Sequence, residues 1–197
     1  MKRLQFQDLK AFPNQLTLLR LVFIPFIVMA VTDNPPHYPI AMSLFILAGV
    51  TDGLDGLFAR WLKQKTLLGQ YLDPIADKLL LSTLFLALSV EHRIPWKITL
   101  VVFSRDFGIL LVSTLLYLTT ELRDYTPSYF GKANTAAQVG AVFIVMLNEL
   151  NDATWIDHVQ DILLWSVFGL ALLSGVHYIV LVGRRMRGLP PPSATST

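Results

Sequence analysis

Six stretches of mostly apolar residues run along the chain, separated by short polar or turn-rich pieces. They extend from about Leu16 to Val31, Pro39 to Trp61, Leu72 to Val90, Ile94 to Leu118, Ala133 to Leu150 and Ile162 to Val182. A helix needs about 20 such residues to cross a hydrocarbon layer of about 30 Å, so each stretch predicts a membrane-spanning helix. The breaks are Asp33-Asn34-Pro35-Pro36, a basic link from Trp61 to Thr66, Glu91-His92-Arg93, a loop from Glu121 to Tyr129 and an acidic loop from Asn151 to Asp161. Short links make consecutive helices antiparallel neighbours. The expected fold is an all-α integral membrane protein, six transmembrane helices in one bundle. Ahead of it, Leu4, Leu9 and Phe12 alternate with Lys2, Arg3 and Lys10, the pattern of an N-terminal juxtamembrane amphipathic helix lying on an anionic leaflet. The chain thus divides into a juxtamembrane segment (1–13), a six-helix domain (14–186) and a proline-rich, disordered C-terminal tail (187–197).

Composition agrees with this pattern. Of 197 residues, 53% are hydrophobic and 15% charged, against about 25% charged in an average soluble domain. The absence of cysteine removes disulfides, thiolate nucleophiles and zinc–thiolate sites. A net charge of +2 is too mild for a nucleic-acid partner, and what matters is where the cations lie. One side of the expected bundle holds Lys2, Arg3, Lys10, Arg60, Lys63, Lys65, Arg123, Lys132, Arg184, Arg185 and Arg187, while the other holds only Arg93 and Lys97. Positive residues stay in the cytoplasm, so both termini are expected there. A cleaved signal peptide is disfavoured by the length of the first span, by Arg20 within it, and by the lack of an A-x-A site after it. Trp96, Trp155 and Trp165 suit interfacial anchoring.

Ionisable residues inside a bilayer are costly and need a partner or a task. Here they concentrate at the end of the second span and the start of the third. Asp52, Asp55, Gly56 and Ala59 stand at i, i+3, i+4 and i+7, so two carboxylates and two small residues share a helix face. Gly69, Asp73, Ala76 and Asp77 make a matching face on the next helix. An antiparallel pair joined near Trp61 to Leu68 brings both faces to one depth, at the cytoplasmic end. Four carboxylates in a low-dielectric site either take up protons or bind cations. An oxygen-only donor set favours magnesium, manganese or calcium over zinc, and a pair of divalent ions is the usual device for phosphoryl chemistry. Arg60 is placed to meet a phosphate, and the glycine and alanine positions let a flat base or a diphosphate approach the backbone. Two other readings compete: the acids pair with Lys78, Arg105 and Arg20 as interhelical glue, or they line the path of a membrane divalent-cation transporter.

From Asp52 to Asp77 the sequence reads D-x2-D-G-x2-A-R-x8-G-x3-D-x3-D. This resembles the signature of the CDP-alcohol phosphatidyltransferase family. Pro13 to Arg20 looks like the opening of the first span in members acting on CDP-diacylglycerol. Ser104-Arg105-Asp106 and Gly131-Lys132-Ala133-Asn134-Thr135 look like their later polar motifs. The resemblance implies a six-helix membrane enzyme, a homodimer, in the bacterial inner membrane with its active site on the cytoplasmic side, which releases CMP from a CDP-linked donor using magnesium or manganese, two ions. It implies Asp52, Asp55 and Asp73 as metal ligands. Asp77 would be the base toward the acceptor hydroxyl and a further contact to metal. Gly56, Ala59 and Arg60 would meet the cytidine diphosphate, with Gly69 keeping room beside it. Arg105, Lys132, Lys63 and Lys65 are candidate acceptor contacts. The expected acceptor is glycerol 3-phosphate, with phosphatidylglycerol as the alternative. Asp106 in place of a glutamate and Asn134 in place of a second lysine depart from the first pattern toward the second.

Overall fold

A computed structural model describes residues 12–61, 67–119, 129–151 and 153–186. They form six helices: α1 (Phe12–Thr32), α2 (Tyr38–Trp61), α3 (Leu67–Val90), α4 (Trp96–Thr119), α5 (Tyr129–Asn148) and α6 (Thr154–Met186). Most of the expected juxtamembrane segment, Lys63 and Lys65, and the C-terminal tail lie outside the described residues.

At about 1.5 Å per residue, helices of 20–24 residues reach about 30–36 Å, and the 33 residues of α6 reach about 50 Å. Among the described residues, Thr154–Val180 is the one segment long and apolar enough to span a membrane by itself, with shorter apolar helices at Thr17–Thr32 and Tyr38–Leu54.

Several helix ends differ from those of the apolar stretches that predict them. α3 starts at Leu67 rather than Leu72, α5 at Tyr129 rather than Ala133, and α5 ends at Asn148 rather than Leu150. The largest correction concerns the expected acidic loop, most of which belongs to α6. Asp157 in the first turn of α6 faces the positive end of the helix dipole, and Ile156 is buried there. Hydropathy marks where lipid ends, whereas backbone hydrogen bonding continues beyond it.

The α3–α4 turn has a definite local cause. Arg93 N donates to Leu88 O at 2.8 Å and His92 N to Ser89 O at 3.1 Å, the paired bonds of a Schellman cap. The cap requires a left-handed residue, and His92 takes it with φ of 59°.

α1 packs on α2 and α3, α2 on α5, α3 on α4 and α5, and both α4 and α5 on α6. These pairings describe two rings of four helices, α1–α2–α5–α3 and α3–α4–α6–α5, sharing a wall made of α3 and α5. Ile27, Phe45, Leu84, Phe85, Val142, Met146 and Val167 belong to the common core. The outward faces are apolar too, with Phe26, Phe107, Trp165 and Ile179 more than half exposed. Helices apolar on both faces suit a lipid surround. At the end opposite the α2–α3 link, Arg93 pairs with Glu149 at 2.7 Å, tying the α3–α4 turn to the α5–α6 turn.

Candidate active site

Arg20 organises the centre of the first ring. Its guanidinium is 1% exposed and pairs with Asp52 of α2 at 2.5 Å and with Asp77 of α3. A buried guanidinium is tolerated only when carboxylates and hydrogen bonds offset its lost hydration. Thr17, one turn earlier on α1, is fully buried as well. The two carboxylates remain 48% and 44% exposed, so each has a side open to a ligand. They and Arg20 line one end of a cavity of about 380 Å³ between α1, α2, α3 and α5. Thr135 joins them at that end, while Phe45, Leu81, Val139 and Phe143 line the rest. Phe45 precedes Asp52 by about 10 Å of helix rise, so the cavity changes from anionic to apolar along the bundle axis. Ile46 and Val139 on its wall are about half exposed, which opens it sideways between α2 and α5.

Asp52 and Asp77 therefore converge as the helix spacing predicts, and Arg20 joins them as the glue reading also foresaw. Asp55, Gly56, Ala59 and Arg60 lie in α2, and Gly69 and Asp73 in α3; their side-chain placement is outside the described residues. Among the described residues no three acidic or histidine side chains gather as a metal cluster. The described pair is nonetheless an oxygen-only set from two helices focused on a cation, which fits hard divalent ions.

A second polar cluster lies in the neighbouring ring. Lys78 donates to Asp106 at 3.1 Å, and Arg105 donates to the other oxygen of Asp106 at 2.5 Å. Arg105 also reaches Ser174 of α6 through Nε at 3.1 Å and through Nη2. The internal ion pair is thus what Arg105 makes here, while Lys132 is exposed on the first turn of α5. Two buried residues of this region, Gln138 and Ser174, carry no motif. Gln138 stands one turn after Asn134, and that spacing in an otherwise apolar helix is the signal that could have identified it.

The family model for CDP-alcohol phosphatidyltransferase matches residues 10–173. The chain is 32% identical over 182 residues to a probable phosphatidylglycerophosphate synthase of Mycobacterium tuberculosis, covering 89% of this chain and 83% of that protein. It is 32% identical over 179 residues to the CDP-diacylglycerol–glycerol-3-phosphate 3-phosphatidyltransferase of Bacillus subtilis, covering 84% of this chain and 92% of that protein. It is also 34% identical over 140 residues to the CMP-forming cardiolipin synthase of Homo sapiens, covering 69% of this chain and 45% of that protein. A cavity that joins paired carboxylates to an apolar groove, on the helices carrying the eight fixed motif positions, agrees with these matches, and the chain belongs to the CDP-alcohol phosphatidyltransferase family of membrane-associated enzymes.

Proposed function

We propose that the protein transfers the phosphatidyl group of CDP-diacylglycerol to glycerol 3-phosphate, forming phosphatidylglycerophosphate and CMP. The observation that carries this reading is the two-ended cavity: Asp52, Asp77 and Arg20 at one end, apolar side chains at the other. Such a site suits a donor with a diphosphate at one end and acyl chains at the other. The acceptor hydroxyl oxygen forms a bond to the β-phosphorus as the bond from that phosphorus to the bridging oxygen breaks. CMP departs with the electron pair, and the hydroxyl proton passes to Asp77. Asp52, Asp55 and Asp73, with Asp77 beside them, would hold two magnesium or manganese ions. Bound there, the ions supply positive charge against the diphosphate and the leaving CMP. Gly56, Ala59 and Arg60 would meet the cytidine diphosphate, with Gly69 leaving it room. Lys132, Lys63, Lys65 and Arg105 would attract the acceptor phosphate. All six helices would span the bacterial inner membrane, with both termini and the site in the cytoplasm and a second copy completing a homodimer.

The names of the Mycobacterium tuberculosis and Bacillus subtilis relatives support glycerol 3-phosphate as the acceptor. One observation favours phosphatidylglycerol instead: Asp106 offsets both Arg105 and Lys78, which lowers the positive charge available for a dianionic phosphate. An acceptor panel decides between them. Purified protein with CDP-diacylglycerol and magnesium is expected to release CMP with glycerol 3-phosphate far faster than with phosphatidylglycerol, serine or inositol phosphate, and excess chelator is expected to abolish release. Preference for phosphatidylglycerol would establish the second reading, and full activity in chelator would overturn the metal assignment.

A further inference from the structure

A second groove lies between α1 and α2, and it shares no lining residue with the reaction cavity. It has a volume of about 370 Å³ and runs from Val22 to Asp33 along α1 and from His37 to Leu44 along α2. Phe23, Phe26, Ile40 and Leu44 form its wall, while its two polar side chains, Asp33 and His37, stand together at one end. That end is the α1–α2 turn, at the opposite end of α1 from Arg20 and its carboxylates. Two backbone bonds fix the turn: Asp33 N donates to Met29 O at 2.8 Å, and His37 N donates to Ala30 O at 2.7 Å. Both side chains are exposed, and neither has an ion pair or side-chain hydrogen bond among the described residues. The Arg93–Glu149 pair lies elsewhere, beside the buried Tyr38.

From Val22 to Asp33 the helix rises about 16 Å, close to one leaflet of a hydrocarbon layer of about 30 Å. With the bundle in the bilayer as proposed, the apolar wall lies among acyl chains and the polar end among headgroups. Charge then decides which headgroup fits. Asp33 carries the one full charge of the groove, which repels an anionic head and attracts a cationic one. A primary ammonium also donates hydrogen bonds to the carboxylate, which a quaternary ammonium cannot do. Beside it, the His37 imidazole can donate an N–H to a phosphate oxygen. We propose that this groove binds a phospholipid whose head joins a phosphate to a primary ammonium, the chemistry of phosphatidylethanolamine, with an acyl chain along Phe26 and Ile40. This rests on the membrane placement of the bundle and is independent of the acceptor and of the transfer chemistry.

The test compares three lipids with the same acyl chains: phosphatidylethanolamine, phosphatidylcholine, which lacks the ammonium N–H donors, and phosphatidylethanol, which lacks the nitrogen. Each is titrated into the full-length protein in detergent, and bound lipid is counted by native mass spectrometry. Phosphatidylethanolamine is expected to bind about threefold more tightly than either of the others. Asp33→Asn and His37→Leu, both on an exposed turn, are expected to remove that preference while the thermal midpoint and CMP release in detergent stay unchanged. Equal binding of the three lipids overturns the proposal, as does a preference that survives both substitutions. Loss of all lipid binding together with a lower midpoint would give the turn a structural role and overturn it as well. Membrane placement is read separately, by flotation of the protein with phosphatidylcholine vesicles. Protein that floats without headgroup preference removes the groove assignment alone, whereas protein that stays out of the vesicles removes the placement and the groove together.

Discussion

Arg20 places a full positive charge almost out of contact with solvent, held by carboxylates from two other helices. Removing one partner of such a group leaves charge uncompensated, typically at about 3–5 kcal/mol for a fully buried pair. Because Asp52 and Asp77 are each about half exposed, a smaller loss of about 2 kcal/mol is expected for Arg20→Met, read as a lower thermal midpoint in detergent. Magnesium should recover much of that loss, since the two carboxylates left facing each other would bind it; no recovery would separate these acids from metal binding. The meeting of Asp52 and Asp77 was legible in the sequence because each ends a spaced acidic face on one of two consecutive helices joined by a short link. The partnership with Arg20 was only one of several options, because Asp77 is 57 residues away and no local period connects them. Gln138 escaped notice for a related reason: it lies beyond the polar motif that ends at Thr135, and only its burial sets it apart from a surface glutamine.

At the level of the elements, helix existence followed from apolar length while helix ends did not. The acidic segment before Ile162 shows why: Asp157 and Asp161 resemble a loop by hydropathy, yet Asp157 in the first turn favours the helix that contains it. The α3–α4 turn offers a clean test of local energetics. His92 adopts φ of 59°, where a side chain on Cβ is strained and glycine is not. His92→Gly is therefore expected to stabilise the turn by about 0.5–1 kcal/mol, measured as a higher thermal midpoint with phosphatidyl transfer unchanged. A lower midpoint would mean that the imidazole contributes more than the backbone strain costs.

For the whole molecule, the two rings are also tied at the end opposite the acids, where Glu149 receives Arg93. Burial raises the Glu149 carboxyl above its ordinary 4.5, and Arg93 only partly offsets this. A carboxylate whose folded pKa lies above its unfolded one binds the extra proton in the folded state, so its contribution to stability falls as pH rises through the window just above 4.5. Glu149→Gln should flatten the fall in thermal midpoint across that window; an unchanged slope would assign it to other groups. The general architecture, six helices in one bundle, was legible from apolar spacing. The doubling into two rings with a common wall was not, because it depends on which helices touch across the bundle, and chain order alone leaves that open.

The sideways opening between α2 and α5 bears on how turnover ends under the proposed reaction. The nucleotide is water-soluble and the other product is a lipid, so the two need different exits. With the bundle placed in the bilayer as proposed, the acidic end would face water and the flank between α2 and α5 would face lipid, so each product would leave in its own medium.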